Sequence, residues 1–167
     1  KKKGPWRDAI IAASDDHCAS WKHLARVESR DQLLCLREPA LVVLPDETQM
    51  YFRVSVHEDC WTKADHGDER WRVHRSVSED GGMTWSEPEP LDVPNYDCKV
   101  SVVALGGKRL IMACNQRPAR FPLDLLASED AGRSWELLGA IEEGPGEMSY
   151  PTLLYGAEDQ LLHLSYT

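Results

Sequence analysis

One short motif recurs three times and constrains the chain more than its composition does. Ser14 to Trp21 (SDDHCASW), Ser78 to Trp85 (SEDGGMTW) and Ser128 to Trp135 (SEDAGRSW) align without gaps as S-x-D-x-x-x-[ST]-W. Repeats this far apart are the signature of propeller blades. Each position has a physical reason. Asp16, Asp80 and Asp130 can accept hydrogen bonds from the backbone N–H groups of their own turn and close a tight hairpin. Gly82 and Gly132 stand where such a turn needs positive φ. Cys18 holds that place in the first copy, so that turn is expected to be distorted. Trp21, Trp85 and Trp135 then open the next strand and can pack a large ring under the turn.

The flanks repeat as well. Pro39 to Val56, Lys99 to Asn115 and Tyr150 to Thr167 each read strand, polar turn, strand. A further apolar strand (DAIIAAS, RWRVHRSVS, PLDLLAS) precedes each motif. The unit is therefore four strands, A-B-C-D, with the motif in the C–D turn. The chain divides into strands C-D over 7–27, a blade over 39–91, a blade over 99–141 and strands A-B over 150–167. Proline-bearing links cover 86–97 and 142–149. No helix of ordinary length is expected. The expected fold is all-β, a β-propeller of four-stranded antiparallel blades. About three blade-equivalents stand here against the four to eight of a closed ring. The remaining blades are then expected from the rest of a longer chain or from a partner chain, because an isolated half leaves strand edges exposed.

Composition narrows the class. The 167 residues carry a net charge of −9, with 42% hydrophobic and 28% charged residues. That balance excludes wholesale disorder, and no apolar run reaches a membrane span. The acidic excess argues against nucleic acid as a partner. The Lys1-Lys2-Lys3 run reads as a solvated end, and KKKGPWRDAII is too short in apolar residues for a signal peptide. No compartment follows from the residues. Cys18, Cys35, Cys60, Cys98 and Cys114 are odd in number with no C-x-x-C pair, so buried thiols are expected rather than a disulfide framework.

The three motifs resemble the Asp-boxes, or BNR repeats, of the sialidase (neuraminidase) superfamily, and the wording GP-GE-x-SYP is most similar to the sialidase-like BNR-2 proteins. The resemblance covers nearly the whole chain and implies the C-terminal half of a six-bladed propeller. EPALVVLP followed by YFR resembles the blade that supplies a glutamate and one arginine. ACNQRPARFPLDLLASEDAGRSW resembles the blade with another arginine, and GEMSYPTLLY the segment with a tyrosine. Carried over, the resemblance implies Tyr150 as nucleophile, Glu38 as its general base, and Arg53 and Arg120 as two arginines gripping a substrate carboxylate. The implied activity is an exo-α-sialidase-type, retaining glycoside hydrolase acting on a sialylated or other acidic glycan. It needs no cofactor and no metal. The family's first arginine and its general acid have no matching segment here.

Strand direction agrees independently. Glu38 and Tyr150 fall at starts of A strands, Arg53 near the end of a B strand and Arg120 in a B–C connection. In a meander these corners all lie on the face opposite the Asp-boxes. The chemistry also suits the residue types. A guanidinium grips a carboxylate bidentately at any working pH, and a neutral tyrosine avoids the repulsion an acidic nucleophile would meet from that carboxylate.

Plainer roles remain open beside these: Tyr150 as channel packing, Glu38 paired with Arg37, Arg117 in place of Arg120. So do two other functions. One is a non-catalytic Asp-box propeller used as a binding or scaffold module; the other is carbohydrate binding without hydrolysis. The segment 56–70 bunches His57, Glu58, Asp59, Cys60, Asp65, His66 and Asp68 at no zinc spacing, and reads as a solvated B–C loop. Glu142 and Glu143 read as part of a polar link. His74 and His163 read as packing residues in strands.

Overall fold

A computed structural model describes residues 8–31, 34–56, 71–142, 144 and 146–167. The segment 57–70, Lys1 to Lys3 and Glu143, on which some expectations rest, lie outside the described residues. Twelve strands run in chain order among those described: β1 (Ala9–Ala13), β2 (Lys22–Val27), β3 (Leu34–Val43), β4 (Thr48–Val56), β5 (Arg72–Ser78), β6 (Glu89–Pro94), β7 (Ser101–Gly106), β8 (Arg109–Cys114), β9 (Leu123–Ser128), β10 (Glu136–Glu142), β11 (Thr152–Gly156) and β12 (Leu161–Ser165). They form antiparallel meanders: the pair β1-β2, the four-stranded sheets β3-β4-β5-β6 and β7-β8-β9-β10, and the pair β11-β12. The fold is all-β, without a helix among the described residues.

The core lies between successive sheets, and strand alternation puts it there. On β4, Met50, Phe52 and Val54 face the first pair, meeting Ile11, Ala25 and Val27. Tyr51 faces the other way, onto Val100, Leu110 and Met112 of the next sheet. On β8, Ile111 and Ala113 turn from that cluster toward Met148 and Leu153. Both four-stranded sheets are thus covered on two faces, which is why MYF and LIMAC read as unbroken apolar runs. Burying each large side chain contributes about 1.5–3 kcal/mol.

The second and third Asp-box turns share one geometry. Asp80 Oδ1 accepts from Met83 N (3.0 Å) and Thr84 N (2.8 Å), and Thr84 Oγ1 donates to Oδ2 (2.6 Å). Asp130 repeats the pattern with Arg133 and Ser134. Positive φ falls on Gly81 and Gly82 (72° and 89°) and on Ala131 and Gly132 (61° and 76°). The first turn, expected to be distorted, departs in part: Ala19 N bonds the Asp16 carbonyl (3.2 Å) rather than its carboxylate. His17 and Cys18 adopt φ of 58° and 68°, and Asp16 Oδ1 still accepts from Ser20 N at 2.9 Å. The carboxylate's bonds hold non-glycine residues in the left-handed region. Trp85 packs as expected, donating Nε1 to Gly82 O (2.9 Å), and Trp135 meets Tyr51 edge-on. Trp21 is exposed.

Other expectations change. The link 86–97 contains a strand, β6, whose Pro90 and Pro94 are tolerated because β6 is the outer strand of its sheet. Glu142 ends β10 and accepts from Tyr166 Oη at 2.5 Å. His74 is buried, but His163 is exposed. Cys35 is disulfide-bonded, against the expectation of thiols throughout, while Cys18, Cys98 and Cys114 are free. Burial pushes the Cys98 and Cys114 thiols up, which keeps both protonated.

Candidate functional site

The site begins with a bulge. In the β3–β4 ladder Arg37 pairs with Arg53 and Ala40 with Tyr51, so Glu38 and Pro39 together oppose Phe52. Pro39 has no N–H to lose, which suits it to an unpaired bulge position. Glu38 therefore sits within β3, not at its start, and takes φ of 47°.

Two other residues share that backbone. Asp97 (φ 58°) and Tyr150 (φ 54°) precede β7 and β11 as Glu38 precedes the Ala40–Val43 stretch of β3. Left-handed backbone costs a non-glycine residue roughly 1 kcal/mol or more, and a following proline disfavours it further for Glu38 and Tyr150. Such outliers collect at functional sites.

These three residues converge on one guanidinium. Arg53 Nη1 donates to Glu38 Oε2 at 2.9 Å and Nε to Asp97 Oδ1 at 2.7 Å. Ser55 Oγ donates to the same Asp97 oxygen at 2.6 Å. The Arg53 side chain is only 9% exposed, and a cation so placed needs anionic partners. Burial pulls its pKa down, but the hydrogen bond and charge of Asp97, with the charge of Glu38, raise it overall. The Tyr150 side chain lies close to both Arg53 and Arg120 and helps raise both guanidinium pKa values.

Arg120 approaches from the β8–β9 loop. Its Cζ lies 5.3 Å from the centroid of the Tyr150 ring, within cation–π range, and its Nη1 donates to Glu147 Oε1 at 2.7 Å. Ser149 Oγ donates to that same oxygen. These two bonds, Ser149 first, hold the Glu147 carboxyl below its ordinary range. The backbone fastens the two segments together: Met148 N donates to Arg120 O (2.7 Å), and buried Asn115 Nδ2 donates to Met148 O and Pro122 O.

The four residues singled out in the sequence, Glu38, Arg53, Arg120 and Tyr150, thus form one connected cluster. One expected contact is absent: among the described residues, no hydrogen bond joins Glu38 to Tyr150, and Glu38 is bonded to Arg53 instead. Asp97 and Glu147 were missed because both fall in stretches read as links. Aligning E-P-A-L-V-V with D-C-K-V-S-V-V and Y-P-T-L-L would have brought Asp97 out. No group of three or more potential metal ligands occurs among the described residues, and these hold no helix long and apolar enough to cross a membrane.

The sequence model of the BNR repeat-like domain matches residues 3–164. A comparison with curated proteins found no match. Among solved structures, the NanB sialidase of Streptococcus pneumoniae aligns with a TM-score of 0.73 at 16% identity, over 96% of this chain and 24% of that one. Trypanosoma rangeli sialidase, solved with 2,3-difluorosialic acid as a covalent intermediate, aligns at 0.68 and 19%, over 95% and 24%. A leech intramolecular trans-sialidase complexed with 2,7-anhydro-Neu5Ac aligns at 0.63 and 21%, over 93% and 23%. This chain spans about a quarter of the length of these structures, and at such identities the likeness is one of fold.

Proposed function

The chain belongs to the BNR repeat-like domain family of the sialidase superfamily, and from that premise we propose that it forms the C-terminal part of a sialidase-type catalytic propeller. Its substrate is a sialylated or other acidic glycan, hydrolysed with retention of configuration. The observation that carries this reading is the convergence of Tyr150, Arg53, Arg120 and Glu38 at one end of the sheets, with Glu38 and Tyr150 on strained backbone.

The roles follow from the chemistry. Arg53 and Arg120 grip the sugar's carboxylate, which is attached to the anomeric carbon. That places the anomeric carbon near Tyr150, whose ring already lies under Arg120. Tyr150 Oη attacks this carbon and forms a C–O bond, while the phenolic proton passes to Glu38. The glycosidic C–O bond breaks, and the leaving oxygen takes a proton from a general acid supplied by another blade. Water then attacks the anomeric carbon, giving a proton to the conjugate base of that general acid; the tyrosyl C–O bond breaks, and Glu38 returns its proton to the phenolate. Two displacements at one carbon give net retention. Glu38 must turn from Arg53 toward Tyr150 for the first step, a rotation its partly exposed side chain permits.

The test is Tyr150→Phe in the complete polypeptide. Turnover of a sialoside should fall by at least about a thousandfold, with near-UV circular dichroism unchanged. Unchanged turnover overturns the assignment. One observation favours a second reading, acidic-sugar binding without hydrolysis: Glu38 is bonded to Arg53 rather than to Tyr150. Saturable sialoside binding with no turnover selects that reading.

A further inference from the structure

Asp97 is a carboxylate in the centre of the cluster to which neither the motif pattern nor the family resemblance gives a role. We propose that it is the positioning residue that fixes the plane of the Arg53 guanidinium for a ligand carboxylate, with Ser55 steadying it. The inference rests on the reading of Arg53 as a carboxylate-binding arginine.

Three observations carry it. First, the contact is directional: Nε of Arg53 donates to Asp97 Oδ1 at 2.7 Å while Nη1 donates to Glu38 Oε2 at 2.9 Å. In the resting site the two carboxylates, at different nitrogens, fix its plane, and the Asp97 bond at Nε keeps hold of it when Glu38 turns toward Tyr150. Second, Asp97 is itself held. Ser55 Oγ donates to Oδ1 at 2.6 Å, and Ser55 is fully buried. The loop is tied by fully buried Asn95, whose side chain bonds both Cys98 O (2.9 Å) and Cys98 N (3.0 Å). Third, Asp97 takes φ of 58°, a conformation glycine would adopt at no steric cost. The strain is accepted where a carboxylate is needed.

The experiment measures discrimination, not affinity alone. Calorimetric titration of the complete polypeptide compares N-acetylneuraminic acid with its C1 amide, which keeps the shape and loses the charge. Wild type should prefer the acid by at least about tenfold, the scale of hydrogen bonds to a charged group. Asp97→Gly relieves the backbone and removes the anchor. It should narrow that preference to about threefold or less, weakening the acid and leaving the amide unchanged. Asp97→Asn keeps an Oδ1 acceptor and should retain most of the preference.

An undiminished preference in Asp97→Gly, or equal loss of both ligands, overturns the positioning role while leaving the function reading intact. A wild type that does not tell acid from amide overturns the function reading, and this inference with it. Should Asp97→Gly fail to fold, Ser55→Ala must also narrow the preference, and an unchanged value there overturns the proposal.

Discussion

Two glycines in the Asp-box turns show how much a single side chain can decide. Gly132 has φ of 76°, and a Cβ there would overlap the Tyr51 hydroxyl and press on Gln49 and Leu110. Gly81 has φ of 72° with open space around it. Gly81→Ala therefore adds backbone strain alone, about 1 kcal/mol or somewhat more. Gly132→Ala adds overpacking of a buried joint and should cost about 2–4 kcal/mol. Urea denaturation of the two variants checks this, and equal losses would contradict it. The glycine at 132 was legible in the sequence as a positive-φ position. Its closeness to Tyr51 was not, because that contact crosses between sheets. Asp97 escaped for a related reason: beside Asn95, an aspartate reads as turn chemistry. Only the fold shows that its carboxylate reaches Arg53.

At the scale of elements, each C–D turn is a hairpin closed by one carboxylate, and its stability follows that group's ionisation. Hydrogen bonds from Ser20, and from Thr84 in the second turn, lower Asp16 and Asp80 from an ordinary 3.8 to about 2. Burial opposes the shift at Asp130, yet the bonds from Ser134 and Ser128 bring it to about 2 as well. A carboxyl whose folded pKa is depressed stabilises fully above its unfolded value and is lost as pH falls through the folded one. The window here is pH 3.8 down to about 2. Thermal melts between pH 5 and pH 2 should show a steep loss in that window. Asp80→Asn should start less stable and fall less steeply, and an identical slope would contradict the account. The strands on either side of each turn were legible from alternation and from the repeat itself. The extension of β3 back to Leu34 was not, because Glu38-Pro39 looks like a strand start when it is a bulge. The strand after Trp85 was expected, but its run on to Pro94 was not, the prolines reading as a link although an outer strand accepts them.

For the whole molecule, the stacking of sheets brings together groups that are far apart in sequence. Glu38 at the β3 bulge and Asp97 and Tyr150 just before β7 and β11 are met by Arg53 from β4 and by Arg120 from the β8–β9 loop. Strand direction predicted the shared face because a meander fixes which corners lie together. It could not predict that Arg53, rather than Tyr150, would hold Glu38, since that depends on side-chain reach. The central claim is that this cluster carries a tyrosine nucleophile for an acidic sugar. The most direct measurement is to treat the complete polypeptide with 2,3-difluorosialic acid and map any adduct by peptide mass spectrometry. A sugar adduct is expected on the peptide containing Tyr150, absent from Tyr150→Phe. No adduct, or one that persists in Tyr150→Phe, would contradict that claim.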